Sequence, residues 1–203
     1  MTKIYLIRHG QSEWNKLNKI QGQRDTLLTE LGKNQALLLG DRLANENIDM
    51  IYTSDLTRAY DTAKAISNRI NKPLFVSDSI REINFNLWEG LTNEEVQEKY
   101  KDEYSIWLRE PHKLNIQGVE TLNSLQERAM KYINKIIKEN NNKSIAIVSH
   151  GAILKTIILG LLDIEISHYK NISLSNVSLS IIECRDFNNV LKLLNDTSHL
   201  KEL

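Results

Sequence analysis

Two short apolar segments of this 203-residue chain each end in histidine and glycine: Ile4-Tyr5-Leu6-Ile7-Arg8-His9-Gly10 and Ile145-Ala146-Ile147-Val148-Ser149-His150-Gly151. Each reads as a buried strand whose glycine lets the backbone turn. In open α/β sheets ligands bind outside the carboxyl ends of the strands, so neighbouring strands would bring His9 and His150 together there. One histidine at a strand end is ordinary. Two in one context, the first preceded by Arg8, point to chemistry. Arginine suits a phosphoryl group, because guanidinium offers planar, paired donors and does not deprotonate. Arg58 is a second candidate: it lies just inside a helix that follows another strand, and helix N-termini attract anions. The plainer reading, an exposed helix arginine, fits Arg42, Arg69 and Arg128 better.

The elements that must position these residues alternate along the chain. A strand at 3–7 is followed by a helix at 29–45 with Thr29 as N-cap, a strand at 50–53, a helix at 55–71 with Asp55 as cap, and a third strand at 74–76 after Pro73. Residues 77–90 show neither period, 92–109 read as one charged helix, and 113–118 as loop. Leu122, Leu125, Ala129, Ile133 and Ile136 mark an amphipathic helix that ends at Asn140-Asn141-Asn142. A strand at 144–149, a helix at 151–161 and closing strands at 177–184 and 190–194 complete the pattern. It implies a three-layer α/β/α sandwich with a mostly parallel central sheet and the site at the carboxyl ends of the strands. The length favours one domain over 1–203.

Composition removes other classes. Lys plus Arg and Asp plus Glu are both 26, giving zero formal charge, which argues against nucleic acid or acidic lipid as partner. No apolar run approaches the roughly 18 residues that span a bilayer. The apolar run before Arg8 is short for a signal peptide and Cys184 is the single cysteine, so a reducing cytoplasm is expected. His112, His168 and His199 show no metal-ligand spacing, and the eight glycines form no nucleotide-binding motif, so neither metal nor cofactor is expected. Trp14, Trp88 and Trp107 read as packing residues, and Cys184 as a buried strand residue.

Arg8-His9-Gly10 with Asn15, the Gln21-Gly22 segment, Ser54-Asp55-Leu56 with Arg58-Ala59, Arg81-Glu82-Ile83 with Trp88-Glu89-Gly90, and Ser149-His150-Gly151 follow one another in an order that resembles the histidine phosphatase superfamily, the phosphoglycerate mutase-like fold. The resemblance implies a ping-pong reaction through phosphohistidine. His9 would be the nucleophile; Arg8, Asn15, Arg58 and the Gly151 amide would cradle the phosphoryl oxygens; His150 would donate to charge building in the transition state. Gln21 and Gly22 would be further substrate contacts. The family places the proton donor at Glu82, with Glu89 the nearby rival. The segment around 85–120 would form a small helical cap. The stretch between Gly90 and Ser149 lacks the longer insertion of cofactor-dependent mutases, and Ile106-Trp107-Leu108-Arg109-Glu110 offers one arginine in place of their pair, so the resemblance favours a metal-independent phosphatase of small phosphomonoesters. A phosphoglycerate mutase and a catalytically idle phosphoester-binding protein are the alternatives. The end of the chain resembles small bacterial broad-specificity and α-ribazole phosphatases without separating them. Gln21, Gln23, Arg24, Phe85, Trp107 and His112 are candidates for reading the leaving group. The oligomeric state is left open.

Overall fold

The structure, a computed structural model, describes residues 1–201. The first half runs β1 (Thr2–Arg8), α1 (Glu13–Lys16), α2 (Glu30–Leu43), β2 (Met50–Ser54), α3 (Thr57–Ile70) and β3 (Leu74–Ser77). The second runs α4 (Asn93–Lys99), α5 (Lys101–Arg109), α6 (Leu122–Glu139), β4 (Ser144–Ser149), α7 (Gly151–Leu161), β5 (Leu179–Cys184) and β6 (Asn189–Asp196). The strands form one sheet in the order β3-β2-β4-β1-β5-β6. β3, β2, β4 and β1 are parallel, and β5 and β6 close the sheet antiparallel. The expected sandwich with a mostly parallel sheet is therefore present.

Alternation along the central strands builds both cores. Ile4, Leu6, Ile145 and Ile147 pack with Leu125, Ile133, Ile153 and Ile157 of α6 and α7. Tyr5, Ile7, Ala146 and Val148 point the other way, against Leu39, Leu43, Ala63 and Ile66 of α2 and α3. A strand covered on both faces has no polar side to show, which is why β1 and β4 read as unbroken apolar runs. Each fully buried Ile or Leu contributes about 1.5–3 kcal/mol, so the middle of the sheet is the most firmly held part of the molecule.

Local expectations fare differently. The Thr29 hydroxyl caps α2 by accepting the Gly32 N–H. Asp55 does not cap α3: the N-cap is Leu56, with no side-chain bond, and the Asp55 carboxylate is instead drawn to Arg81, whose Nε donates at 2.7 Å. The expected helix over 92–109 breaks at Tyr100, where the backbone turns to φ −134°, ψ 50°. Residues eight apart in one straight helix point about 80° apart; the break lets Val96 and Tyr104 enter the same core. Residues 77–90 contain two single 3₁₀ turns, Asp78–Ile80 and Asn86–Trp88, too short to print a period. For the same reason α1 and the 3₁₀ segment Ile166–Asn171 left no readable signal. Among the described residues no helix is long and apolar enough to cross a membrane.

Candidate active site

Arg8 stands opposite Ser149 in the β1–β4 register, so the chains leave the sheet together and carry His9 and His150 side by side. Their ring centroids lie 5.2 Å apart at 60°. The His9 peptide is fixed from three directions: its N–H donates to the Ser149 carbonyl at 2.9 Å, and its carbonyl accepts from Val177 N and from Asn176 Nδ2. Gly10 is required where it is, because a Cβ there would sit 2.5 Å from the Gly32 carbonyl oxygen.

The tautomer of His9 follows from its neighbour. Nδ1 lies 2.7 Å from the Gly10 carbonyl, which can only accept, so the proton is on Nδ1 and the Nε2 lone pair is free. Burial, with Arg58 and Arg8 adding to it, holds the His9 pKa well below its ordinary value, so the ring is neutral at neutral pH. His150 is fully buried and is shifted the same way by burial, Arg58 and His9. As a neutral ring it carries one N–H to donate. Burial also lowers Arg58, to about 10, which leaves it a cation at neutral pH.

Each guanidinium is tied at one end to backbone carbonyls. Arg58 donates to Arg24 O and Gly22 O, both at 2.8 Å, and Arg8 donates to Leu174 O at 2.6 Å. Gly22 holds φ +51°, and a Cβ there would collide with the Glu89 carboxylate, so the carbonyl that receives Arg58 depends on glycine. The buried Nε atoms of Arg8 and Arg58 and both ring nitrogens of His150 have no protein hydrogen-bond partner among the described residues. Buried donors are normally satisfied; here the two Nε–H groups and the one N–H of neutral His150 are left over, with Arg8 and Arg58 lining the same cavity as His9 and His150 beside it, an arrangement able to receive an oxyanion.

Of the two acids, Glu82 borders the cavity and Glu89 does not. Glu82 accepts the N–H groups of Ala152 and Ile153 at 3.0 and 3.1 Å, in the first turn of α7, and that of Ile83 at 3.0 Å. Gly151 lies against it: a Cβ there would be 3.5 Å from Arg8 Nε and 3.8 Å from Glu82 Oε2. Glu89 is turned to the loops, accepting from Gln23 N and Phe85 N.

The cavity measures about 210 Å³ and is lined by Arg8, His9, Asn15, Gln21, Gly22, Arg58, Glu82, Phe85 and Trp107. Asn15 and Gln21 are themselves engaged. The Asn15 Oδ1 accepts from Ser12 and Asn176, and the Gln21 Oε1 from the Ser12 and Thr26 hydroxyls. Three other sequence candidates lie elsewhere. The Gln23 amide donates to Glu82 O, Arg24 pairs with Glu89, and His112 occupies a 3₁₀ turn at Pro111–Lys113. Lys19 and Asn93 also line the cavity and were not foreseen. Neither sits in a motif, and the backbone bridge between Lys19 and Thr92 that brings them together joins residues far apart in sequence. Trp107 has both roles, packing edge-on to Phe85 at 5.1 Å while lining the mouth. Cys184 is half-buried at the end of β5, and burial pushes its thiol up to about 11.

An imidazole with a free lone pair, facing guanidinium groups at the carboxyl end of a parallel sheet, defines a site for phosphoryl chemistry. The family model of the histidine phosphatase superfamily (branch 1) matches residues 4–197, and the chain belongs to that superfamily. It is 38% identical over 202 residues to phosphoserine phosphatase 1 of Hydrogenobacter thermophilus, covering 100% of this chain and 96% of the relative. It is 31% identical to a metal-independent phosphoserine phosphatase of Arabidopsis thaliana, covering 100% and 85%. A crystal structure of a mutant phosphoserine phosphatase from Entamoeba histolytica, in complex with phosphoserine, superposes with a TM-score of 0.86 at 37% identity, covering 98% and 100%. The chain is a phosphoric monoester hydrolase of this superfamily.

Proposed function

We propose that the chain hydrolyses small phosphomonoesters without a metal, through a phosphohistidine on His9. The observation that carries this reading is one cavity lined by His9, with its Nε2 free, and by Arg8 and Arg58, with His150 beside His9 and buried nitrogens of Arg8, Arg58 and His150 left without protein partners among the described residues. The Nε2 lone pair attacks phosphorus while the bond to the leaving oxygen breaks, and Glu82 supplies the proton that the departing alkoxide needs. Arg8, Arg58, His150, Asn15 and the Gly151 amide stabilise the charge spread over the transferring oxygens. Water then attacks the phosphohistidine, Glu82 takes its proton, and phosphate leaves with His9 restored. We read residues 1–203 as one domain with 85–120 as its cap, working in a reducing cytosol.

The mouth narrows the substrate. Lys19 forms none of the ion pairs among the described residues, and Glu82, the acid bordering the cavity, is held by three amides. A free ammonium and the Asn93 carboxamide at the mouth of a 210 Å³ cavity suit a compact leaving group bearing a carboxylate. Phosphoserine, the substrate in the names of the relatives, is of that kind.

The test is phosphate release by purified protein in chelator, over phosphoserine, 3-phosphoglycerate with and without 2,3-bisphosphoglycerate, sugar phosphates and α-ribazole phosphate. Release favouring the carboxylate-bearing esters supports the reading. Interconversion of phosphoglycerates without release makes the protein a mutase; silence from folded protein makes it a binding protein; dependence on metal removes the mechanism.

A further inference from the structure

Arg128 fits its place among exposed helix arginines poorly. It projects from α6 onto the irregular segment that carries Glu82, and all three of its nitrogens are engaged. Nη1 donates to Ser79 O at 2.9 Å and Arg81 O at 3.2 Å, and Nη2 to Glu82 O at 3.4 Å. Nε and Nη2 each donate to a carboxylate oxygen of Glu120 at 3.0 Å. Glu120 continues the contact past Glu82: its Oε2 accepts the Asn84 N–H at 3.2 Å, and its own N–H donates to Asn84 O at 2.9 Å. Backbone groups on both flanks of Glu82 thus end on one ion pair whose side chains are largely buried.

We infer that the Arg128–Glu120 pair is a positioning device for the Glu82 carboxylate, and that Arg128 acts on turnover through Glu82 alone. The inference rests on the reading of Glu82 as proton donor and acceptor. Residues 81–84 have no helix or strand to satisfy their carbonyls, so side chains must do it. A planar fork can reach three carbonyls and a carboxylate together, which a lysine cannot. The carboxylate is anchored at its tip by the α7 amides, so the loop behind it sets the angle from which it meets the leaving oxygen. A shift of about 1 Å in such a group can cost on the order of a hundredfold in rate. The rest of the loop is held independently, by the Ser149 hydroxyl on Ile80 O and by Arg81 on Asp55. Loss of Arg128 therefore loosens Glu82 without freeing the whole segment.

The experiment compares kcat/KM on an alkyl phosphate, whose alkoxide must be protonated, with p-nitrophenyl phosphate, whose leaving group needs little help. It uses the full chain and the variants Arg128→Lys, Glu120→Gln, Glu82→Gln and Arg128→Lys/Glu82→Gln, each checked by circular dichroism and Tm. Arg128→Lys is expected to lose about tenfold or more on the alkyl ester, in kcat rather than KM, and less than about twofold on the aryl ester. Glu120→Gln follows in the same direction with a smaller loss. In the Glu82→Gln background Arg128→Lys should leave the alkyl-to-aryl ratio unmoved, since the group it positions is gone. Equal losses on both esters, or a further fall of that ratio in the Glu82→Gln background, would overturn the positioning role while leaving Glu82 in place. A Glu82→Gln variant that loses equally on both esters removes Glu82 from proton transfer, and the inference with it.

Discussion

At the floor of the pocket, His9 and His150 leave adjacent parallel strands, and Arg58 is pinned by two carbonyls. At its mouth, Lys19, Asn93 and Trp107 come from a turn, a helix start and the next helix. The floor inherits its geometry from ladder hydrogen bonds and a core buried on both faces. The mouth is assembled by loops that meet through a bridge between Lys19 and Thr92 and an aromatic cluster of Phe85, Trp88 and Trp107. The floor is thus suited to demands common to all phosphate esters, and the mouth to what distinguishes them. Loops on a rigid scaffold can vary without disturbing the scaffold.

Three measurements sharpen or break that contrast. The largest effect belongs to the floor: on the proposed mechanism His9 is the nucleophile and has no substitute, so His9→Ala should lower hydrolysis of every ester by on the order of 10⁴-fold or more. Initial rates over the ester panel decide it, and a loss confined to some esters would erase the distinction between the two ends. At the mouth, Lys19→Met should raise KM for phosphoserine and 3-phosphoglycerate about tenfold, the worth of one charge-assisted hydrogen bond. Its kcat should change little and ethyl phosphate should be handled as before; an equal penalty on ethyl phosphate would mean that Lys19 does not read the carboxylate.

The smallest effect is on stability. His9 and His150 are held neutral in the fold by burial and nearby arginines, with pKa values well below 6.5, whereas in the unfolded chain they titrate near 6.5. Below that pH the unfolded chain takes up protons that the folded one refuses, so their contribution is present above about pH 6.5 and is lost on acidification. Tm should fall between pH 7 and pH 5, and the fall should be smaller in His150→Asn by a few degrees. Parallel slopes for the two proteins would show that the floor histidines do not carry the dependence.

Much of the floor was legible because its signals are local. An apolar run ending in Arg-His-Gly states a buried strand and a turn, and Thr29 three residues before Gly32 states a helix start that the structure has. The resemblance favours Glu82 over Glu89, but position alone does not show why; in the structure Glu82 meets the first-turn amides of α7 while Glu89 meets loop amides. Asp55 looked like a helix cap, but Arg81 across the loop competed for its carboxylate. Arg128 looked like a solvated helix residue because the carbonyls it serves lie more than forty residues away.

The sequence by itself determined the alternation of elements, the two histidines at strand ends, and the arginines able to meet a phosphoryl group, since side-chain period and backbone turning act over a few residues. Only the tertiary structure decided that β1 lies beside β4, that Glu82 faces the cavity, that Lys19 and Asn93 stand at its mouth, and that Arg128 braces the acid loop. Those choices depend on which distant backbone groups would otherwise be left without partners, and that is a property of the whole packed chain.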